Sequence, residues 1–155
     1  MAARLRILAV GTRMPGWIEQ GFEEYRKRLP LDFALELREV ALARRGGDSA
    51  RAVAEEGAAL LAALAGDEVA VAMDVGGTAL DTPGLARALG RWKDDGRRVA
   101  FLIGGPEGLA PACLERADAR WSLSRLTLPH PLARVLLAEQ LYRAWSLLAA
   151  HPYHR

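Results

Sequence analysis

The chain holds a single cysteine, Cys113, and that scarcity excludes two architectures. An intramolecular disulfide framework needs at least two thiols, and a thiolate zinc cluster needs more. Lysine is nearly as scarce, since only Lys27 and Lys93 among 21 basic residues are lysine. Long apolar runs are missing as well. Residues 5–10, LRILAV, are too few for a secretory signal followed by a cleavage site. The apolar stretch 131–150 is interrupted by Arg134, Glu139, Gln140 and Arg143, so it does not read as a membrane span. A soluble, reducing, cytoplasmic setting is the expectation. The histidines come without clustered acids or cysteines, and no metal site is expected.

What remains is the composition of a globular domain. A hydrophobic fraction of 51% and a mean hydropathy of +0.01 exclude a disordered or collagen-like chain. The 155 residues fit one domain, 1–155. A chain of this size buries about two-thirds of its unfolded surface, enough for a core without staples. The formal net charge is only +2, yet it is unevenly spread. From Arg120 onward five arginines face one acid, Glu139, while residues 1–119 carry 16 basic and 18 acidic groups. All three histidines, His130, His151 and His154, share that last stretch with Trp121, Tyr142, Trp145 and Tyr153. A small total charge argues against coating a polyanion in bulk, whereas a local surplus suits a site that meets an anionic partner.

Periodicity gives the elements. Arg4–Val10 reads as a strand covered on both faces and stopped by Gly11. Pro15 opens a helix with Trp17, Ile18, Phe22, Tyr25 and Leu29 at helical spacing. Phe33, Leu35 and Leu37 alternate as a half-buried strand, and Asp48 or Ser49 caps a helix to about Ala65. Glu68–Met73 is an interior strand ending at Asp74. Thr82-Pro83 supplies a cap hydroxyl and a first-turn proline for a helix to about Asp95, with Gly96 past its end. Arg98–Ile103 is another buried strand, running into GGPEG at 104–108. A short helix at 111–117, a short strand at 121–123 and a helix from Pro131 to about Ala150 complete the chain. Strands alternating with helices predict an α/β fold with a mainly parallel sheet flanked by helices. Ligands of such sheets bind beyond the carboxyl ends of strands, here Met73, Ile103 and Leu123.

Several constellations carry chemistry. GGPEG is a glycine-rich turn of neither dinucleotide nor Walker spacing, which disfavours an oxidoreductase. Asp74 and Asp81 flank VGGTAL, where a turn competes with a ribose or metal contact. Cys113 sits in an apolar helical turn without a base beside it and reads as a small buried residue. Thr127 and His130 are polar residues in a loop stiffened by Pro129 and Pro131. The final helix is apolar almost all round, which suits a subunit interface as well as a core. On it Glu139 and Arg143 stand four residues apart and can pair. The HPYHR tail offers groups for phosphate contact and base stacking, or is a loose terminus.

Four segments together carry a resemblance over essentially the whole chain: MPGWIEQGFEEYRKRLP (14–30), LIGGPEG (102–108), SLSRLTLPHPLARVLLAEQLYRAWS (122–146) and HPYHR (151–155). Their ordered combination is similar to the RlmH family of ribosomal large-subunit methyltransferases. The resemblance implies a SPOUT-type fold with a deep C-terminal trefoil knot, here within about 70–150. It implies a homodimer that binds S-adenosylmethionine in the knot and methylates N3 of a pseudouridine in helix 69 of 23S rRNA, within the assembled ribosome. No DNA or membrane partner is implied. Carried over, the cofactor positions are Met73, Gly105, Ser124, Arg125, Leu126, Thr127, Leu128 and Pro129. Met73 stands where the family is expected to have leucine, a volume-conserving change. Arg125 falls at a variable position, which implies a backbone contact, and Arg44-Arg45 carries less charge than the family leads one to expect.

On this reading His130, Arg143 and His154 are the catalytic candidates. Arg143, Tyr153, His154 and Arg155 are the candidate RNA contacts. The target imide must lose its N3 proton before attack, and His154 or Arg143 is placed to favour the deprotonated base. The final helix is expected to form the dimer interface, with the partner completing the RNA site. A non-catalytic ribosome-binding factor of the same fold is the alternative.

Overall fold

The computed structural model describes residues 4–44 and 46–155, so Arg45 of the basic pair lies outside the described residues. Five strands, β1 (Leu5–Val10), β2 (Leu35–Val40), β3 (Val69–Ala79), β4 (Val99–Ile103) and β5 (Ala119–Ser122), form one sheet in the order β2-β1-β4-β3-β5. Every neighbouring pair is parallel. Five helices alternate with them: α1 (Gly16–Arg26), α2 (Ser49–Ala63), α3 (Thr82–Asp94), α4 (Pro111–Arg116) and α5 (His130–Leu148).

The strand period of two divides the core into two layers. Leu5, Ile7 and Ala9 of β1, with Val99, Phe101 and Ile103 of β4, meet Phe22 of α1, Leu85 and Leu89 of α3, and Leu137 and Leu141 of α5. The alternate residues Leu8, Val10, Ala100 and Leu102 meet Leu60 of α2 with Ala110 and Cys113 on the other face. The central strands are therefore apolar at both parities, as sheets buried on two faces require. Cys113 is fully buried, and burial raises its thiol above the usual cysteine range.

Three element boundaries differ from expectation. β3 does not stop at Met73: a register shift between Met73 and Thr78 lets it bulge and then pair again with Trp121 and Ser122 of β5. The cap of α3 is Asp81, whose carboxylate accepts from the Gly84 amide at 2.7 Å. Thr82 is already helical, and its hydroxyl donates instead to Gln140 of α5 at 2.7 Å. A charged acceptor holds a helix amide more strongly than a hydroxyl does, so the aspartate wins the cap. Phe33 lies in a 3-10 turn (Leu31–Phe33) before β2 and not in the strand. Asp48 caps α2 as expected, accepting from the Arg51 amide at 3.0 Å.

α5 lies in the groove between α1 and α3. Gly21 of α1 faces Val135, and Gly90 of α3 faces Leu148. Increasing residue numbers match along all three helices, so they run in the same direction. The start of α5 sits at the carboxyl end of the sheet and its end lies toward the opposite edge.

Candidate functional site

Three strands converge where the resemblance places the cofactor: β3 at its bulge after Met73, and β4 and β5 at their carboxyl ends. Met73 pairs in register with Ile103, and the next residues of that strand are Gly104 and Gly105. The 104–108 segment folds back on itself, with the Gly108 amide donating to the Gly105 carbonyl at 3.0 Å and Gly108 at φ +85°. A Cβ on Gly104 would stand 2.4 Å from the Gly108 carbonyl carbon, so only glycine permits this closure. Gly105 is buried, with Val10, Leu42 and Glu56 next to it.

The third strand end begins the loop 123–129. Ser122 Oγ donates to the Ser124 carbonyl and Ser124 Oγ accepts from the Leu126 amide, both at 2.9 Å. These local bonds bend the chain off β5 at the sheet edge. By His130 the chain has reached Gly11, just beyond β1. Residues 123–129 therefore pass across the carboxyl ends of β3 and β4. Arg125, Leu126, Thr127 and Pro129 are exposed, Leu126 to 74%, while Ser124 and Leu128 are half-buried. Beneath the loop a cavity of about 190 Å³ is lined by Leu80, Asp81, Leu123, Ser124, Leu128 and Leu136, among others. Asp81 is at this rim, but its carboxylate is committed to the helix cap.

The first turns of α5 fasten the far end of the loop. Arg134 is 1% exposed. Its guanidinium donates to Glu39 on β2 at 2.6 Å and to the carbonyls of Val10 and Gly11, each at 3.4 Å. One turn earlier, His130 packs against Gly11. Burial, and then the positive charge of Arg134, push the His130 imidazole below its usual range, against a smaller opposing pull from Glu56. His130 is thus held neutral, with the proton-accepting form favoured.

The other candidates gather at the far end of α5. The tail closes as a 3-10 turn, Pro152–His154, begun by a bond from the Tyr153 amide to His151 Nδ1 at 3.2 Å. The Tyr153 ring lies 4.4 Å from Tyr142, and Trp145 stacks on Tyr142 at 5.5 Å. Glu139 accepts from the Tyr153 hydroxyl at 2.8 Å and pairs with Arg143 at 2.9 Å. The guanidinium of Arg143 also sits 4.9 Å from the Tyr153 ring centroid. Burial and the bond to Glu139 hold the Tyr153 phenol well above its ordinary range, so it stays a donor. His154 Nδ1 is buried without a hydrogen-bond partner. The tail is therefore packed and not loose.

Within one chain these two groups are apart. His130 and Arg143 are thirteen positions apart on one helix, which at the helical rise amounts to about 20 Å. The structure brings Arg143, Tyr153 and His154 together, and separately Met73, Gly105 and the 124–129 loop with His130. Trp121 belongs to neither: it stacks on Trp92 at 5.6 Å inside the sheet layer. Sequence reasoning missed Tyr25 and Arg28 of the α1 end, although Arg28 lies 5.6 Å from the Tyr142 centroid. It also missed the buried role of Arg134, whose partners Glu39 and Val10 lie 95 and 124 residues away. Another cavity, about 1080 Å³, runs along the β2 edge beside α1 and is lined by none of the expected cofactor positions.

Comparison with known proteins gives the relationship. A family model described as predicted SPOUT methyltransferase matches residues 3–154. The chain is 60% identical over 154 residues to the ribosomal RNA large subunit methyltransferase H of Alkalilimnicola ehrlichii, covering 98% of this chain and 99% of that one. A protein of the same name from Chromohalobacter salexigens is 57% identical over 154 residues, again covering 98% and 99%. Among solved structures, a probable methyltransferase from Bordetella pertussis Tohama I shares the fold, with a TM-score of 0.60, 22% identity and coverage of 92% and 96%. No helix among the described residues is long and apolar enough to cross a membrane. The parallel sheet, the returning loop and the full-length match agree, and the chain belongs to the SPOUT methyltransferases, within the family of ribosomal RNA large subunit methyltransferase H.

Proposed function

We propose that this protein is a methyltransferase of large-subunit ribosomal RNA that takes its methyl group from S-adenosylmethionine and acts at N3 of a pseudouridine in helix 69 of 23S rRNA, within the assembled ribosome. The observation that carries this is the meeting of the β3 bulge at Met73, the turn after β4 at Gly105 and the 124–129 loop that leaves β5. The residues present fit the cofactor. Met73, Leu126 and Leu128 offer an apolar bed, Gly104 keeps its turn tight, and the proline-bounded loop presents backbone groups for an adenine edge. When bound, the sulfonium supplies an already activated methyl group. The chain's own work is then alignment of acceptor nitrogen, methyl carbon and leaving sulfur. The crossing of residues 123–129 over two strand ends is read as the threading step of a trefoil knot.

The RNA side is assigned to Arg143, Tyr153, His154 and Arg155. A cation such as Arg143 favours the imide once its N3 proton has left, and the imidazole of His154 or His130 is the candidate to accept that proton. Because the tail cluster and the loop stand about 20 Å apart along α5, the reading includes a homodimer in which the partner subunit's tail completes the site. Exposed Trp17 and Leu136, at 63% and 36%, are apolar groups a dimer would cover.

The test is methylation of ribosomes purified from cells lacking this protein, with labelled cofactor and mapping of the modified nucleotide. Label at N3 of one helix 69 pseudouridine is the expected result. Cofactor binding without transfer to any ribosomal substrate would replace this reading with a non-catalytic ribosome-binding factor.

A further inference from the structure

We propose that Arg134 is a positioning residue for the cofactor loop, acting from beneath it through β1 and β2. The inference rests on the assignment of the 124–129 loop as the cofactor site. Among the described residues Arg134 is the largest fully buried side chain and the only basic one of that set. Its guanidinium joins three elements at one point: α5, which carries it, β2 through Glu39, and the carboxyl end of β1 through the carbonyls of Val10 and Gly11. Only four residues separate Pro129 from Arg134, and the Ala133 amide bonds the Pro129 carbonyl at 3.0 Å. Whatever fixes Arg134 therefore fixes the landing point of the loop.

The arrangement is poorly explained by stability alone. A buried arginine is costly, and its Nε has no hydrogen-bond partner. An apolar residue would fill the position at lower cost, as it does at Leu137 and Leu141 on the same helix. What an apolar residue lacks is a planar fork that grips a carboxylate and two carbonyls in fixed directions. The beneficiary of that directionality is the loop that begins one turn away.

The test uses the full-length protein, S-adenosylmethionine titrated by calorimetry, and a matched structural control. Arg134→Lys keeps the charge and loses the fork. Glu39→Gln keeps the shape and removes the counter-charge, giving a milder probe should the first variant fold poorly. The control is Arg6→Lys, which disturbs another buried pair, Arg6 with Glu68 at 2.5 Å, near the amino end of the sheet. We expect Arg134→Lys to weaken cofactor binding about tenfold or more and Glu39→Gln to weaken it less. Arg6→Lys should lower the melting temperature comparably while leaving affinity at the parent value. In turnover, the cofactor KM should rise more than kcat falls. Parent-like affinity in both Arg134→Lys and Glu39→Gln, or an affinity loss in Arg6→Lys equal to theirs, overturns the inference. Leu128→Asp separates this from failure of the site assignment. If Leu128→Asp binds as the parent does, or the parent binds no cofactor, the loop assignment itself is wrong and the inference falls with it.

Discussion

At the scale of single residues, the site is governed by which groups are kept uncharged. His130 is half-buried beside Gly11 and one turn from Arg134, and both burial and that charge depress its pKa. The sign of the consequence follows from linkage. The unfolded chain takes up a proton near the ordinary histidine value, roughly 6.5, while the folded chain resists it. Stability from this group is complete above that value and is lost as the pH falls through the lower folded value. Histidine resonances followed by NMR should show His130 titrating below the ordinary range. The melting temperature of His130→Gln should fall less than the parent's between neutral pH and about pH 5. Arg134 itself was hidden in the sequence for a physical reason. Periodicity identifies the buried stripe of α5, but burial of a charge depends on partners 95 and 124 residues away.

At the scale of elements, the sequence was legible wherever one force dominated. β1 and β4 are apolar at both parities, and α2 begins at the aspartate that should cap it. It was less legible where two forces competed. β3 bulges through Val75, Gly76 and Gly77, whose glycines give no alternation, and pairs with β5 again only at Thr78 and Ala79. The start of α3 set Asp81 against Thr82, and the aspartate took the cap. Asp81→Ala should therefore cost about 1 kcal/mol in urea unfolding, the usual value of a lost cap. Thr82→Ala should cost less by the cap criterion and act instead through its bond to Gln140 of α5. Equal losses, with no effect of Gln140→Ala on the Thr82→Ala result, would contradict that division. The candidate site divided in the same way. The glycine turn and the loop were readable as motifs, whereas the grouping of Tyr25 and Arg28 with the tail depends on how α1 packs on α5.

At the scale of the whole molecule, α5 carries one half of the proposed site at each end. If the halves combine between subunits, two differently damaged chains should repair one another. Gly105→Val places a branched side chain against Val10 and Leu42, whose atoms lie 3.1 and 3.3 Å from the new Cβ, and damages the loop half. Arg143→Ala damages the tail half and leaves the loop untouched. Each variant alone should be nearly inactive, and the mixed population should recover up to about one quarter to one half of parent activity after subunit exchange. No recovery in a demonstrated heterodimer would show that each chain works by itself. The buried cysteine gives the molecule a further property, a thiol indifferent to oxidants. A thiol fully enclosed and held protonated is not attacked at the rates of exposed thiolates. Thioethers are more accessible: Met14 and Met73 are both half-buried, and Met73 lies at the β3 bulge, in the proposed cofactor bed. Its sulfoxide would put a polar group into an apolar wall. Mild peroxide should therefore weaken cofactor binding in the parent more than in Met73→Leu, so that one sulfur-for-carbon exchange sets how the site ages under oxidative stress.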